Sequence, residues 1–270
     1  MIDSSDLQGL LRDAARLELL PRFGRIAAAA KADGSLVTEA DVAVQTHIQA
    51  ALKAAWPDIG FLGEEMSAAD HQRLLAELAD GVHDGLWVLD PLDGTINFAS
   101  GVPCFAVSLA LLDREGVRSG LILDPMRDEC FRADRGRGAY LNDAPLRVDG
   151  TARALRECVA EIDLKRLTAQ LRIALVRAQP FRSQRNFGSG ALDWAWLAAG
   201  RFQLYLHGGQ KLWDYAAGSL ILAEAGGHAV TLQNDPVYTG TIAPRSVVGA
   251  GNPRLFAEWR DWLRAADPDY

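Results

Sequence analysis

Cysteine is scarce: Cys104, Cys130 and Cys158 are the only three in 270 residues. They are odd in number and lack the paired spacing of a metal-binding cluster, which argues against a disulfide framework or a cysteine-held metal and for reduced, buried thiols in a cytoplasmic protein. Long apolar runs are missing too. None approaches the roughly 20 residues needed to cross a bilayer. The stretch at 27–30 gives way at once to Lys31, and residues 1–20 mix Asp3, Asp6, Arg12 and Glu18 among leucines, unlike a signal peptide. No membrane partner is expected. A concentrated Lys/Arg run is also absent, and with a net charge of -7 this speaks against a surface that coats a nucleic-acid polymer. No repeat or low-complexity tract interrupts the chain. What remains is 49% hydrophobic, ample for a packed interior, and the length suits two interlocked subdomains, 1–150 and 151–270.

The most informative stretch runs from Trp87 to Phe98. A short apolar run at 86–89 predicts a buried strand that leaves extended pairing at Asp90-Pro91. Asp90 and Asp93 then present two carboxylates three residues apart. Gly94 follows, free to adopt backbone angles closed to other residues, and Thr95 brings a hydroxyl to a predicted helix start. Carboxylate oxygens are hard ligands suited to Mg2+, and N–H groups at a helix start attract anions, so the stretch suits a cation and a phosphate together.

Around it, periodicity predicts a first helix with Ser4 or Ser5 as cap and Pro21 at its end, and a turn-rich connector at 31–35. A helix over 37–56 has Thr38 and Asp41 placed as a capping box. A strand at 59–62 delivers Gly63-Glu64-Glu65 at its end, and 66–79 reads as an exposed helix. Strands follow at 105–112, 117–123 and 129–133, joined by short polar turns that favour antiparallel neighbours, with a hairpin at 139–148 turning on Asn142-Asp143. The pattern then becomes α/β. Strands are expected at 158–162, 202–206 and 247–250, and helices at 164–176, 191–199, from 213, and 253–265. Gly188-Ser189-Gly190 leads into one of these helices. Asp214, at the start of another, is placed as an N-cap, where an acid favourably meets the helix N-terminus.

Asp90-Pro91-Leu92-Asp93-Gly94-Thr95, taken with Gly63-Glu64-Glu65 upstream and Trp213-Asp214-Tyr215-Ala216-Ala217-Gly218 downstream, resembles the inositol monophosphatase family, and the likeness extends over nearly the whole chain. It implies an α/β fold, a layered αβαβα sandwich whose sheets are mixed and largely antiparallel, and a Mg2+-dependent phosphomonoesterase. By the same likeness Glu64, Asp90, Asp93 and Asp214 are metal ligands and Leu92 offers its backbone carbonyl. Asp93, Gly94 and Thr95 would meet the phosphate, with Glu65 the outer acid of its pair. Glu64, Asp93 and Thr95 would position an attacking water, with Asp41 supporting Thr95, and no covalent phospho-enzyme is implied. Four carboxylates would repel a phosphate monoester unless divalent cations intervened.

Gly188, Ser189, Gly190, His207 and Asp214 fall where substrate contacts are expected. His207 occupies a position commonly held by a glutamate in the family, so the substrate stays open among inositol monophosphate, histidinol phosphate, fructose 1,6-bisphosphate and 3'-phosphoadenosine 5'-phosphate. Lys211 could meet a second phosphate. A non-catalytic role toward a macromolecular partner is the alternative of another class, and homodimerisation is expected by resemblance alone.

Overall fold

A computed structural model describes residues 2–25, 29–30, 36–151 and 153–268. The connector read at 31–35 lies outside them. Five layers of secondary structure stack in the order helix, sheet, helix, sheet, helix, and the sequence explains each layer by which faces it buries.

The outer helical layer contains α1 (Gln8–Ala14), extended by a wide turn over Ala15–Leu19, and α2 (Glu39–Ala55). Asp3, rather than Ser4 or Ser5, caps the single turn before α1 by accepting from the Ser5 N–H at 2.9 Å. Ahead of α2, β1 (Ala29–Ala30) and β2 (Leu36–Val37) pair antiparallel. The capping box of α2 is present: Thr38 Oγ1 accepts from the Ala40 N–H at 3.1 Å, and Asp41 accepts from both the N–H and the hydroxyl of Thr38 at 2.7 Å.

These helices cover a seven-stranded sheet formed by β3 (Gly60–Gly63), β4 (Leu86–Asp93), β5 (Ala106–Asp113), β6 (Gly116–Asp124), β7 (Glu129–Asp134), β8 (Ala139–Leu141) and β9 (Ala144–Leu146), in that spatial order. Only β3 and β4 run parallel; the other neighbours are antiparallel. Its central strands read as continuous apolar runs because both faces are covered. In β4, Trp87 and Leu89 point to the outer helices, while Leu86 and Val88 join the inner core. Residues 66–79, expected to be exposed, form α3 (Ala68–Ala79), which instead buries His71, Leu74 and Leu78.

The expected strand end at Asp90-Pro91 is displaced. β4 continues to Asp93, and its register against β5 jumps from Asp90 opposite Ser108 to Asp93 opposite Ala106. Pro91 and Leu92 face the single residue Val107, a bulge that accommodates a residue with no N–H to give the ladder. The chain then turns through Gly94, at φ 90°, into the short helix α4 (Thr95–Ala99). A Cβ on Gly94 would lie 3.0 Å from the Cys104 carbonyl oxygen, so the turn requires glycine on grounds of both angle and space.

The second sheet has the order β11 (Ser183–Arg185), β10 (Val159–Asp163), β12 (Leu204–Gln210), β14 (Arg245–Ala250) and β13 (His228–Val230). Its first three strands are parallel to one another and the last two pair antiparallel. On its outer face lie α5 (Ala169–Ala178) and α8 (Pro253–Ala266), whose Leu171, Leu175, Leu255 and Trp259 meet Ala160, Ile162, Leu204 and Leu206. The edge strands β11 and β13, three residues each, carried too little pattern to be read from sequence.

Between the sheets run α6 (Gly190–Ala198) and α7 (Leu212–Glu224). Every residue from Ala191 to Ala198 is buried, as expected of a helix covered on all sides. Small residues permit this middle layer. A Cβ on Gly218 of α7 would sit 2.2 Å from that of Trp194 in α6, and one on Gly120 of β6 would lie 2.7 Å from the Ala217 carbonyl oxygen.

Candidate active site

The bulge in β4 aims Asp90 and Asp93 toward the start of α7. There Asp214, the third residue of the helix, turns back to accept from the Lys211 N–H at 2.8 Å. Asp214 is therefore a first-turn acid and not the cap residue itself. Ligand oxygens of Asp90, Asp93 and Asp214 all lie within 4.8 Å of one another. Glu64 joins them from the turn after β3, where its N–H donates to the Leu89 carbonyl at 3.0 Å, next to Asp90 in the chain.

Such convergence is electrostatically costly. Burial first, then the charges of Glu64, Asp93 and Asp214, holds the Asp90 carboxyl well above its ordinary range. Asp214 is raised strongly by burial and by the charges of Asp93 and Glu64. Asp93 is raised by burial and by the charge of Glu64 but eased by donors from the next layer, the Ser189 hydroxyl at 2.5 Å, the Ala191 N–H at 2.7 Å and the Gly190 N–H. The charge of Arg166 acts in the opposite direction on Asp214, but burial and the neighbouring carboxylates outweigh it. Hard oxygen donors in number, with their charge only partly offset by a basic side chain, fit a divalent cation.

The Leu92 N–H donates to Asp90 at 3.0 Å, and the Leu92 carbonyl accepts from the Thr95 hydroxyl at 3.0 Å. The carbonyl and hydroxyl singled out in the sequence are thus neighbours at the strand-to-helix turn. Asp41, fully buried, is bonded to Thr38, and its carboxyl is pushed up to about 6 by burial, with the charges of Glu65 and Glu64 adding to the rise. The Glu65 N–H donates to Gln45 Oε1 of α2 at 3.3 Å, which fastens the acidic turn to the outer helix.

The three parallel strands of the second sheet bring their C-terminal ends to one side, where ligands are received in sheets of this kind. β11 leads into the loop holding Gly188, Ser189 and Gly190. β10 ends at Asp163, opposite His207 of β12. Both nitrogens of His207 face protein groups: Nδ1 accepts from the Gly209 N–H at 3.0 Å, and Nε2 lies 3.5 Å from Asp163 Oδ2. Asp163 is held in turn by the Lys165 N–H at 2.6 Å. Nothing in the sequence pairs Asp163 with His207 without knowledge of the parallel register.

Behind this edge, burial pushes the Glu161 carboxyl up to about 8 from its ordinary 4.5. A raised value means that the fold favours the protonated acid. Its stabilising contribution is complete below pH 4.5 and disappears as the pH climbs to about 8. Glu161→Gln is therefore expected to gain on the wild type in thermal stability between pH 5 and 8 and to hold a constant lead above that. Melting curves at pH 5, 7 and 9 test this, at about 2–4 °C for each kcal/mol recovered; an unchanging difference would contradict it.

The fold, the acidic site and the likenesses to known proteins together mark a phosphoric monoester hydrolase. The chain belongs to the inositol monophosphatase family, whose family model matches residues 9–261. Inositol monophosphatase 1 of Solanum lycopersicum is 38% identical over 83% of this chain and 81% of its own. The Nus factor SuhB of Xylella fastidiosa is 36% identical over 77% of this chain and 71% of its own. Among solved structures, inositol monophosphate-bound SaIMPase-II superimposes with a TM-score of 0.78 at 28% identity, covering 96% of this chain and 92% of that one.

Proposed function

We propose that this protein hydrolyses a small polyol or sugar phosphate with Mg2+, by direct attack of water and without a covalent phospho-enzyme. The observation that carries the proposal is the convergence of Asp90, Asp93 and Asp214 within 4.8 Å, from segments more than a hundred residues apart. Capping or solvation would not require that convergence. Glu64, Asp90, Asp93, Asp214 and the Leu92 carbonyl would hold the cations. Bound there, divalent cations offset the carboxylate charge, acidify water and stabilise the departing alkoxide.

The remaining work belongs to the chain. Glu64 and Thr95 orient the attacking water, and the hydrogen bond from Thr95 to the Leu92 carbonyl holds that hydroxyl in place. The Gly94-Thr95 turn receives the phosphate. Asp41, whose carboxylate is held by the N–H and hydroxyl of Thr38 at the start of α2, would support Thr95. Ser189 and the start of α6 clamp Asp93, so the loop proposed to meet the substrate would also orient a site acid.

Inositol monophosphate, with which the SaIMPase-II relative is bound, is the first substrate proposed. His207 would shape specificity through Asp163, since its own nitrogens are already turned to protein groups. Phosphate release measured across inositol, histidinol, fructose and nucleotide phosphates tests the reading, and no turnover on the whole panel with Mg2+ present would overturn it. The Nus factor name of the Xylella relative keeps a partner-binding role in view, and that role would then lead. His207→Glu is expected to change the ratio of kcat/KM between the two best substrates by about 5- to 10-fold, the worth of one altered hydrogen bond, while changing the rate on the best one less. An unchanged ranking would place His207 outside the pocket.

A further inference from the structure

Glu64 and Asp214 reach the site from opposite halves of the chain, and one side chain touches the residue immediately before each of them. His71, in the first turns of α3, is 5% exposed. Its Nε2 lies 2.8 Å from the carbonyl oxygen of Gly63, and its ring stands 5.0 Å from that of Trp213, tilted by 54°. A carbonyl oxygen can only accept, so Nε2 carries a proton and donates it here.

The two contacted residues are themselves constrained. The Gly63 carbonyl also accepts from the Met66 N–H at 3.2 Å, which closes the Glu64-Glu65 turn. A Cβ on Gly63 would lie 2.0 Å from Gln45 Oε1, so the turn is pressed against α2 and has little room to shift. Trp213, 7% exposed, gives its carbonyl to the Ser108 hydroxyl of β5 at 3.0 Å, opposite Asp90 in the ladder. His71 is therefore a side chain that joins the Glu64 turn to the start of α7. Without it, each segment would keep its own anchors and lose this tie to the other.

We propose that His71 is a positioning residue for the cation site: by donating to Gly63 and packing on Trp213 it sets the separation of Glu64 from Asp214. The inference rests on the proposed metal-holding role of those acids. Cation coordination by several fixed carboxylates is sensitive to small displacements, and the supporting shell around such ligands commonly governs affinity. The folded state itself has a large core independent of this contact, so affinity for the cation should respond more than the fold does.

Two substitutions separate the contacts. His71→Phe keeps a ring against Trp213 and removes the donor; His71→Gln keeps an amide donor near the position of Nε2 and removes the ring. Mg2+ binding, measured by isothermal titration calorimetry on wild type and both variants without substrate, is expected to weaken by about 10-fold in the Phe variant and by less in the Gln variant. With Mg2+ raised to saturation, kcat in both should return close to the wild-type value, and KM for the phosphate ester should hardly move. A residue that merely fills the core would lower the melting temperature and leave Mg2+ affinity unchanged. That result in both variants, or in the Gln variant alone if the Phe variant does not fold, would overturn the proposal while leaving the metal site standing. Wild-type protein that takes up no Mg2+ would overturn both.

Discussion

Asp93→Asn is expected to lower kcat by at least about 100-fold, with little change in the folded state. The substitution preserves shape. It retains an amide oxygen that can still accept from the Ser189 hydroxyl and the Ala191 N–H, so the clamp from α6 persists. What disappears is one negative charge among Asp90, Asp214 and Glu64. In metal-free protein that charge is a burden, since burial already raises the Asp93 carboxyl and Asp93 in turn raises Asp90 and Asp214. The melting temperature in chelator should accordingly stay level or rise, while turnover collapses. Steady-state phosphate release alongside a thermal melt reads both quantities. Turnover near that of the wild type would remove Asp93 from the metal site and from catalysis; a large drop in melting temperature would assign it a structural role.

Chelation of divalent cations should abolish phosphate release, and added Mg2+ should restore it. A linked stability effect follows from the same carboxyls. Asp90, Asp93 and Asp214 all have values raised above the ordinary 3.8. Without cations the fold favours their protonated forms relative to the unfolded chain, and their ionisation at rising pH costs stability. Cations bind the ionised forms, so the increase in melting temperature brought by Mg2+ should be larger at pH 8 than at pH 5. At 100 times the dissociation constant the stabilisation is about 2.7 kcal/mol, or roughly 5–10 °C at 2–4 °C per kcal/mol. Turnover that survives chelation would refute the metal-dependent reading. A Mg2+-induced shift independent of pH would mean that the cation binds elsewhere.

Much of the architecture follows from local pattern. The apolar runs of β4, β5 and β6 announced strands, that of β4 a buried one, and Thr38 with Asp41 announced the start of α2. The Asp-Pro-Leu-Asp-Gly-Thr run declared its own chemistry, because a glycine with positive φ, a hydroxyl and two acids are all needed within six residues. Local pattern failed where tertiary contact decides the outcome. Pro91 implied the end of a strand, yet pairing with β5 carries β4 two residues beyond it through a bulge. The residues 66–79 looked exposed because their polar content is high, whereas His71 is buried by contacts with Gly63 and Trp213, eight residues and more than a hundred residues away.

The kind of reaction could therefore be read from residue order, since backbone angle, carboxylate spacing and a helix-starting hydroxyl are local properties. The completion of the site could not. Asp214 meets Asp90 and Asp93 because glycines let α7 pack closely between the two sheets, and Ser189 clamps Asp93 because α6 lies beside it in the same layer. Asp163 finds His207 through the register of parallel strands. These are long-range contacts, selected by packing and sheet pairing across the whole fold, and one-dimensional order carries no record of the distances they set.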